Sequence, residues 1–386
     1  MSKKLKVYVD AEVLVGSHFS GIGHYTLGLL RGLDRIIEDR DDIQIVLLTY
    51  FRRIEQVKRF GFRNFKIRKS PVPLRINNHL KIHDVKIPFD IFFGKGLYFF
   101  PNYTTWPLLF SKSISVIYDL SFEHFPEYVE PNNQKFLSES VKKTVVRSDE
   151  IVTISKNSQK EIVDFYKINK SRTHIIYPGI DQSVMFRWPK DEIEKIKAKY
   201  GIFGDYILFV GNIEPRKNLK NLLLAYEKLD EDTRKQYSLL LVGARGWLDN
   251  EIFEIIERLR INGNHIQQPY GYVEDRHLPA LYSGASIFVY PSKYEGFGIP
   301  PLEAMSCGVP AITSDNSSLP EAVGDAAVKV SANSINQLAR AIEGVLNNKE
   351  KQKHLIEKGF IQVDRYSWNK EAQKLLDLFL KVGRRG

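Results

Sequence analysis

Residues 206–219 read YILFVGNIEPRKNL, and this stretch decides the fold class. Its apolar opening, with no polar alternation, fits a strand buried on both faces of a parallel sheet. Gly211 then lets the chain turn tightly. Arg216 and Lys217 follow, just before a helix capped near Asn218. Two adjacent cations at a strand end, beside a helix N-terminus, suit a diphosphate.

Outward from this unit the same scheme repeats. Short apolar strand-like runs fall at residues 5–10, 43–49, 65–68, 97–100, 115–118, 150–154 and 174–177, with helical patterns at 23–37 and 156–166. In the second half, strand-like runs at 206–210, 238–242, 286–289 and 311–313 alternate with helical patterns at 219–229, 252–260, 278–282, 301–307 and 334–347. Alternation twice over predicts an α/β protein of two Rossmann-like domains facing a cleft. A turn at 177–181 and a charged helix at 190–200 put the boundary near 178–204. The expected divisions are a first domain over 1–180, a second over 181–368 and an amphipathic final helix within 369–386.

The length of 386 residues fits two domains, and 43% hydrophobic with 26% charged residues is a globular composition. The single Cys307 excludes an intramolecular disulfide framework or a cysteine zinc cluster. No apolar run reaches the roughly 20 residues of a membrane span. The start shows no signal-peptide pattern, so the expected compartment is the cytoplasm.

The net charge of +10 is unevenly spread. Residues 1–180 hold 28 basic and 19 acidic side chains, and the remainder 28 and 27. The excess is densest at 52–69, where eight Lys and Arg face Glu55 alone, interleaved with phenylalanines. That pattern suits an anionic bilayer, with the phenylalanines in the core as the competing reading. No nucleic-acid motif accompanies the charge.

A second informative stretch is residues 290–311, YPSKYEGFGIPPLEAMSCGVPA. After a strand, Gly296 and Gly298 open a loop, and Pro300 and Pro301 start a helix. Glu295 in the loop and Glu303 on the helix can face one pocket and accept bonds from sugar hydroxyls. In the first half, Gly21 and Gly23 form a glycine turn ahead of a helix, without the third glycine of a dinucleotide fingerprint. Asp230 and Asp232 match an Asp-x-Asp string but sit in a charged turn, and read as surface rather than a metal site.

Together these stretches resemble the retaining glycosyltransferases of family 4, of GT-B architecture. The firmest points are residues 211–219 and 292–310, with seven residues between Glu295 and Glu303. The resemblance implies a nucleotide-sugar donor held mainly by the second domain. Arg216 and Lys217 would neutralise the departing diphosphate, and Glu303 would hold the ribose. Glu295, with the backbone of Gly296, Phe297 and Gly298, would address the donor sugar, while Tyr272 and Val273 would border the base. Gly21 and Gly23 would approach the donor phosphates, and Gly211 would shape the turn beside them.

Residues 118–121, YDLS, resemble the segment HDLS of bacterial mannosyltransferases of cell-surface polysaccharide synthesis, with Tyr118 in place of the usual His. Asp119 would orient the acceptor or contact the sugar, and Asn102 and Tyr103 would line the acceptor side. The final helix would cross back onto the first domain. The implied reaction is metal-independent hexosyl transfer with retention. Its donor would be GDP-mannose or, alternatively, a UDP-sugar, and its acceptor a saccharide or lipid-linked glycan at a membrane surface. A nucleotide-sugar epimerase of the same fold and an inactive membrane-binding module remain as competing readings. No cofactor or metal is expected.

Overall fold

The computed structural model describes residues 4–16, 21–50, 53–70, 87–246 and 250–384. They form two parallel sheets. The first contains β1 (Leu5–Asp10), β2 (Ile43–Thr49), β3 (Lys66–Lys69), β4 (Leu97–Phe100), β5 (Lys112–Val116), β6 (Glu150–Thr153) and β7 (Thr173–Ile175). Their spatial order is β3-β2-β1-β4-β5-β6-β7. The second contains β8 (Asp205–Val210), β9 (Tyr237–Val242), β10 (Ile266–Gln267), β11 (Ile287–Tyr290), β12 (Ala311–Ser314) and β13 (Ala327–Val330), ordered β10-β9-β8-β11-β12-β13. The middles of the central strands are apolar and buried, as in sheets covered on both faces: Val7 pairs with both Ile45 and Leu97, and Leu208 with both Leu240 and Phe288. The strand order reverses between β1 and β4 and between β8 and β11. At such switch points loops leave in opposite directions and open a crevice outside the carboxyl ends.

The chain divides into two compact units, one of Met1–Leu120, Asn132–Gly179 and Ser367–Gly386, the other of Ser121–Pro131 and Ile180–Tyr366. The sequence carries no punctuation that would assign Ser121–Pro131 to the second unit. Tertiary contacts do so: Phe125 packs on Tyr294 with ring centroids 5.3 Å apart, and Lys293 Nζ donates to Tyr128 Oη at 3.0 Å.

The final helix, Trp368–Gly383, packs in the first unit, as the resemblance implied. It lies along the helix Gly21–Ile36, where two glycines allow a close approach. A Cβ on Gly28 would meet the Trp368 ring at 2.4 Å, and one on Gly32 would meet the Ala372 Cβ at 2.6 Å. Leu375, Leu376 and Phe379 are fully buried by this packing. Each contributes about 1.5–3 kcal/mol of apolar burial.

The basic stretch is engaged in part within its own unit, while Lys58, Arg59, Arg63, Lys66, Arg68 and Lys69 stay exposed. Phe60, Phe62 and Phe65 pack on one another at 6.1 and 5.1 Å, with Phe65 buried. Arg53 pairs with Glu12 at 2.7 Å. Arg68 donates to the Phe93 carbonyl and lies over its ring. Phe51 and Arg52 lie outside the described residues. Asp230 of the Asp-x-Asp string caps the helix Glu231–Gln236 by accepting from Thr233 N at 2.7 Å.

Candidate active site

The two loops singled out by sequence emerge side by side, because β8 and β11 flank the switch point of the second sheet. After β8, Gly211 adopts φ 149°, and the chain continues alongside the segment after β9, with Ile213 bridged to Arg245. Gly243 makes this approach possible, since a Cβ there would lie 1.9 Å from the Gly211 carbonyl oxygen. The turn Pro215–Lys217 ends at Asn218, whose backbone is left-handed (φ 61°). Asn218 Nδ2 donates to the carbonyls of Pro291 and Ala332 at 2.9 and 2.7 Å, latching this turn to the loop after β11.

The latch brings three charged groups together. Lys217 Nζ donates to Glu295 Oε1 at 2.7 Å and to Tyr290 Oη at 2.5 Å. Arg216 Nη1 donates to Glu295 Oε2 at 3.0 Å and to the Tyr294 carbonyl at 2.8 Å, while Nη2 bonds Glu214 at 2.7 Å. Burial alone would raise the Glu295 carboxyl. Arg216 and Lys217 overcome it and hold the carboxyl down at about 2. Burial pulls Lys217 below its ordinary range, with Glu295 opposing. The Glu295 carboxyl is therefore ionised at neutral pH, bonded on one side by Arg216 and on the other by Lys217.

The glycine loop is fixed by small polar residues after β12. Ser314 Oγ bonds the Ser292 carbonyl, Asn316 Nδ2 the Lys293 carbonyl at 2.9 Å, and Ser318 Oγ the carbonyls of Glu295 and Phe297 at 2.7 and 2.8 Å. The Glu295 N–H donates to Ser317 Oγ at 3.1 Å. Gly298 precedes the helix Ile299–Ser306 at φ 112°, where a Cβ would meet Leu319 at 2.6 Å. The Phe297 ring is core, packed on Tyr366 at 5.1 Å, so only its backbone is available to a ligand beside Gly296.

Glu303 stands on the first turns of that helix and accepts from Tyr282 Oη at 2.8 Å. Burial pushes its carboxyl up to about 7, against the pull of the Tyr282 bond and with help from Asp275. Tyr272 is exposed and donates to Asp275 at 3.3 Å, which puts it on the Glu303 side of the site. Val273 is buried, so its side chain is packing and only its backbone borders the space.

In the first unit, Gly21 and Gly23 open the helix Gly21–Ile36, which follows β1, and Asn102 and Tyr103 follow β4, the partner of β1 at the switch point. Asp119 follows β5 and is half-buried. Tyr118 is turned inward: its Oη donates to the Pro101 carbonyl at 3.0 Å, and its ring packs edge-on against Tyr25 and Tyr103 at 5.3 and 5.5 Å. This phenol is committed to packing within the first unit, so it does not stand in for an imidazole.

Sequence placed Asn218 only as a helix cap, but its side chain makes no cap bond and latches the loops instead; Gly243 and the residues 314–318 were not anticipated. The only signal for the last was a polar run, SDNSS, directly after a strand.

Paired doubly wound units, with a cation pair at one switch point and a carboxylate on the adjoining helix, define the class of two-domain enzymes built from Rossmann-like sheets. The family described as "Glycosyl transferases group 1" matches residues 192–362. O-antigen chain mannosyltransferase B of Escherichia coli is 33% identical over 272 residues, 70% of this chain and 71% of the relative. The mannosyltransferase WbdA of the same organism is 29% identical over 240 residues, 61% of this chain but 29% of its own length. Sucrose-phosphate synthase of Thermosynechococcus elongatus shares the fold at TM-score 0.70 and 16% identity, covering 100% of both chains. The chain belongs to the group 1 glycosyltransferases, and its fold is GT-B.

Proposed function

We propose that this glycosyltransferase moves mannose, with retention, from GDP-mannose to a saccharide or lipid-linked oligosaccharide acceptor at the inner face of an anionic membrane. The observation that carries the reading is the bonded cluster of Arg216, Lys217 and Glu295 at the β8–β11 switch point. As the glycosidic bond breaks, negative charge grows on the diphosphate, and preorganised cations in a buried setting stabilise it without reorganising. Arg216 and Lys217 supply positive charge there, so the proposed reaction needs no metal.

Glu303 accepts from the ribose hydroxyls. The backbone of Gly296, Phe297 and Gly298 positions the sugar. Asp119, Asn102 and Tyr103 orient the acceptor. Retention follows from attack on the face the diphosphate leaves, with the leaving oxygen taking the acceptor proton. The mannose assignment is supported by the mannosyltransferase relatives and by the YDLS segment at 118–121. The membrane is supported by the charge excess of residues 1–180. Calorimetric titration with GDP and UDP tests the nucleotide: selective binding of GDP is expected, and selective binding of UDP would replace the donor by a UDP-sugar.

A further inference from the structure

We propose that the first unit docks on anionic phospholipid through a surface formed by residues 106–112 and the helix Pro131–Arg147, not through the basic stretch 52–69. The proposal rests on the lipid-borne acceptor read above and names where the protein meets the lipid.

The surface starts from a buried carboxylate. Asp90 is fully buried, yet it accepts from the N–H groups of Leu109 and Phe110, each at 2.9 Å. The Phe89 N–H bonds the Pro107 carbonyl at 2.8 Å, and the Phe89 ring stacks on Trp106 at 4.8 Å. The loop is thus anchored from below, and what it holds outward is apolar. Leu109 is 68% exposed and Phe110 46%. Scattered exposed apolar residues need no explanation, but two adjacent ones on a tip fixed by a buried charge present a built apolar point.

Cations surround that point. The loop and the helix Pro131–Arg147 bound a groove of about 750 Å³, lined by Trp106, Leu108, Lys142, Lys143, Val146 and Arg147, with Glu139 as the one acidic side chain on its wall among the described residues. The helix carries four cations against that single carboxylate, and Val146 on it is 78% exposed. Lys112, next to the tip, pairs with Asp149 at 2.9 Å. Apolar side chains flanked by Lys and Arg match the two layers of a membrane boundary, acyl chain and phosphate. The stretch 52–69 offers charge with less exposed apolar surface, because Phe65 is buried and Phe60 and Phe62 are half-buried against one another.

The location has a consequence for the acceptor. Leu109 and Phe110 sit at the amino end of β5, whereas Asp119 sits past its carboxyl end. The helix of 17 residues beside them spans about 25 Å. An acceptor anchored in the lipid must cover a comparable distance, which calls for several sugars between lipid and reactive end.

Sedimentation with phosphatidylglycerol–phosphatidylcholine vesicles, against phosphatidylcholine alone, tests the proposal on the full chain. Wild type is expected to bind the anionic vesicles and to be released by salt. The pair Leu109→Ser and Phe110→Ser is expected to lower the bound fraction about tenfold or more. The pair Lys142→Glu and Lys143→Glu should do the same. Melting temperature, and transfer to a water-soluble acceptor, should be unchanged in both. Lys66→Glu with Lys69→Glu should cost less than about threefold. Absence of wild-type binding to anionic vesicles, or loss caused by the 66/69 pair and not by the other two, would overturn the proposal. Failure of transfer to the soluble acceptor in wild type would instead count against the catalytic reading.

Discussion

Glu295 is held by two cations in a place where burial alone would raise its carboxyl, and this sets how its neighbours behave when changed. Replacing Lys217 by Ala removes one of the two groups proposed to face the leaving diphosphate and should cut transfer by about two to three orders of magnitude. The same change leaves a buried carboxylate short of a partner, at a cost of about 3–5 kcal/mol in stability. Turnover should therefore be measured on protein shown to be folded by its melting curve. The pair also gives an acid dependence. Because the folded carboxyl is held at about 2, below its ordinary range, its stabilisation is present above that range and is lost as pH falls toward 2.

Glu303 has the opposite sign. With its carboxyl pushed up to about 7, it is protonated in mildly acidic solution and accepts bonds fully only above that. The donor KM should therefore fall as pH rises through 7, and Glu303→Gln should flatten this dependence while raising KM. An unchanged pH profile in that variant would remove Glu303 from the donor site.

Elements position these residues through backbone geometry that side-chain patterns do not advertise. The apolar runs of β8, β9, β11 and β12 were legible because strands buried on both faces leave no polar alternation. β10 is two residues long and β13 four, with Lys329 exposed in the latter, too short and mixed to stand out. The helix Lys349–Val363 buries only a few positions beneath a highly charged face, so its periodicity is weak. The loops carrying Arg216, Lys217 and Glu295 were legible as chemistry. The clamp of Ser314, Asn316 and Ser318 was not, since small polar residues after a strand look like any loop. Gly298→Ala should destabilise the protein by about 1–3 kcal/mol, because φ 112° is strained for Ala and the new methyl meets Leu319. Ser318→Ala removes the one hydroxyl proton shared by the Glu295 and Phe297 carbonyls and should cost about 1–3 kcal/mol, read as a shift in thermal midpoint with the donor KM raised.

At the scale of the whole molecule, the chain leaves its first unit at Leu120, returns at Asn132, leaves again after Gly179 and returns at Ser367. The final helix completes the first unit rather than extending the second, so changes there should act on stability and not on nucleotide affinity. Phe379→Ala, which empties a fully buried site against Phe99, should cost about 3–5 kcal/mol and leave nucleotide titration of the folded protein unchanged. The central claim is the proposed mannosyl transfer from GDP-mannose to a glycan acceptor. Incubating the full chain with GDP-mannose and whole bacterial lipid extract, with products read by mass spectrometry, tests it most directly. The account predicts a lipid-linked glycan heavier by one hexosyl unit, formed with release of GDP and lost in Lys217→Ala. Consumption of GDP-mannose without an extended acceptor, or transfer from a UDP-sugar alone, would contradict it.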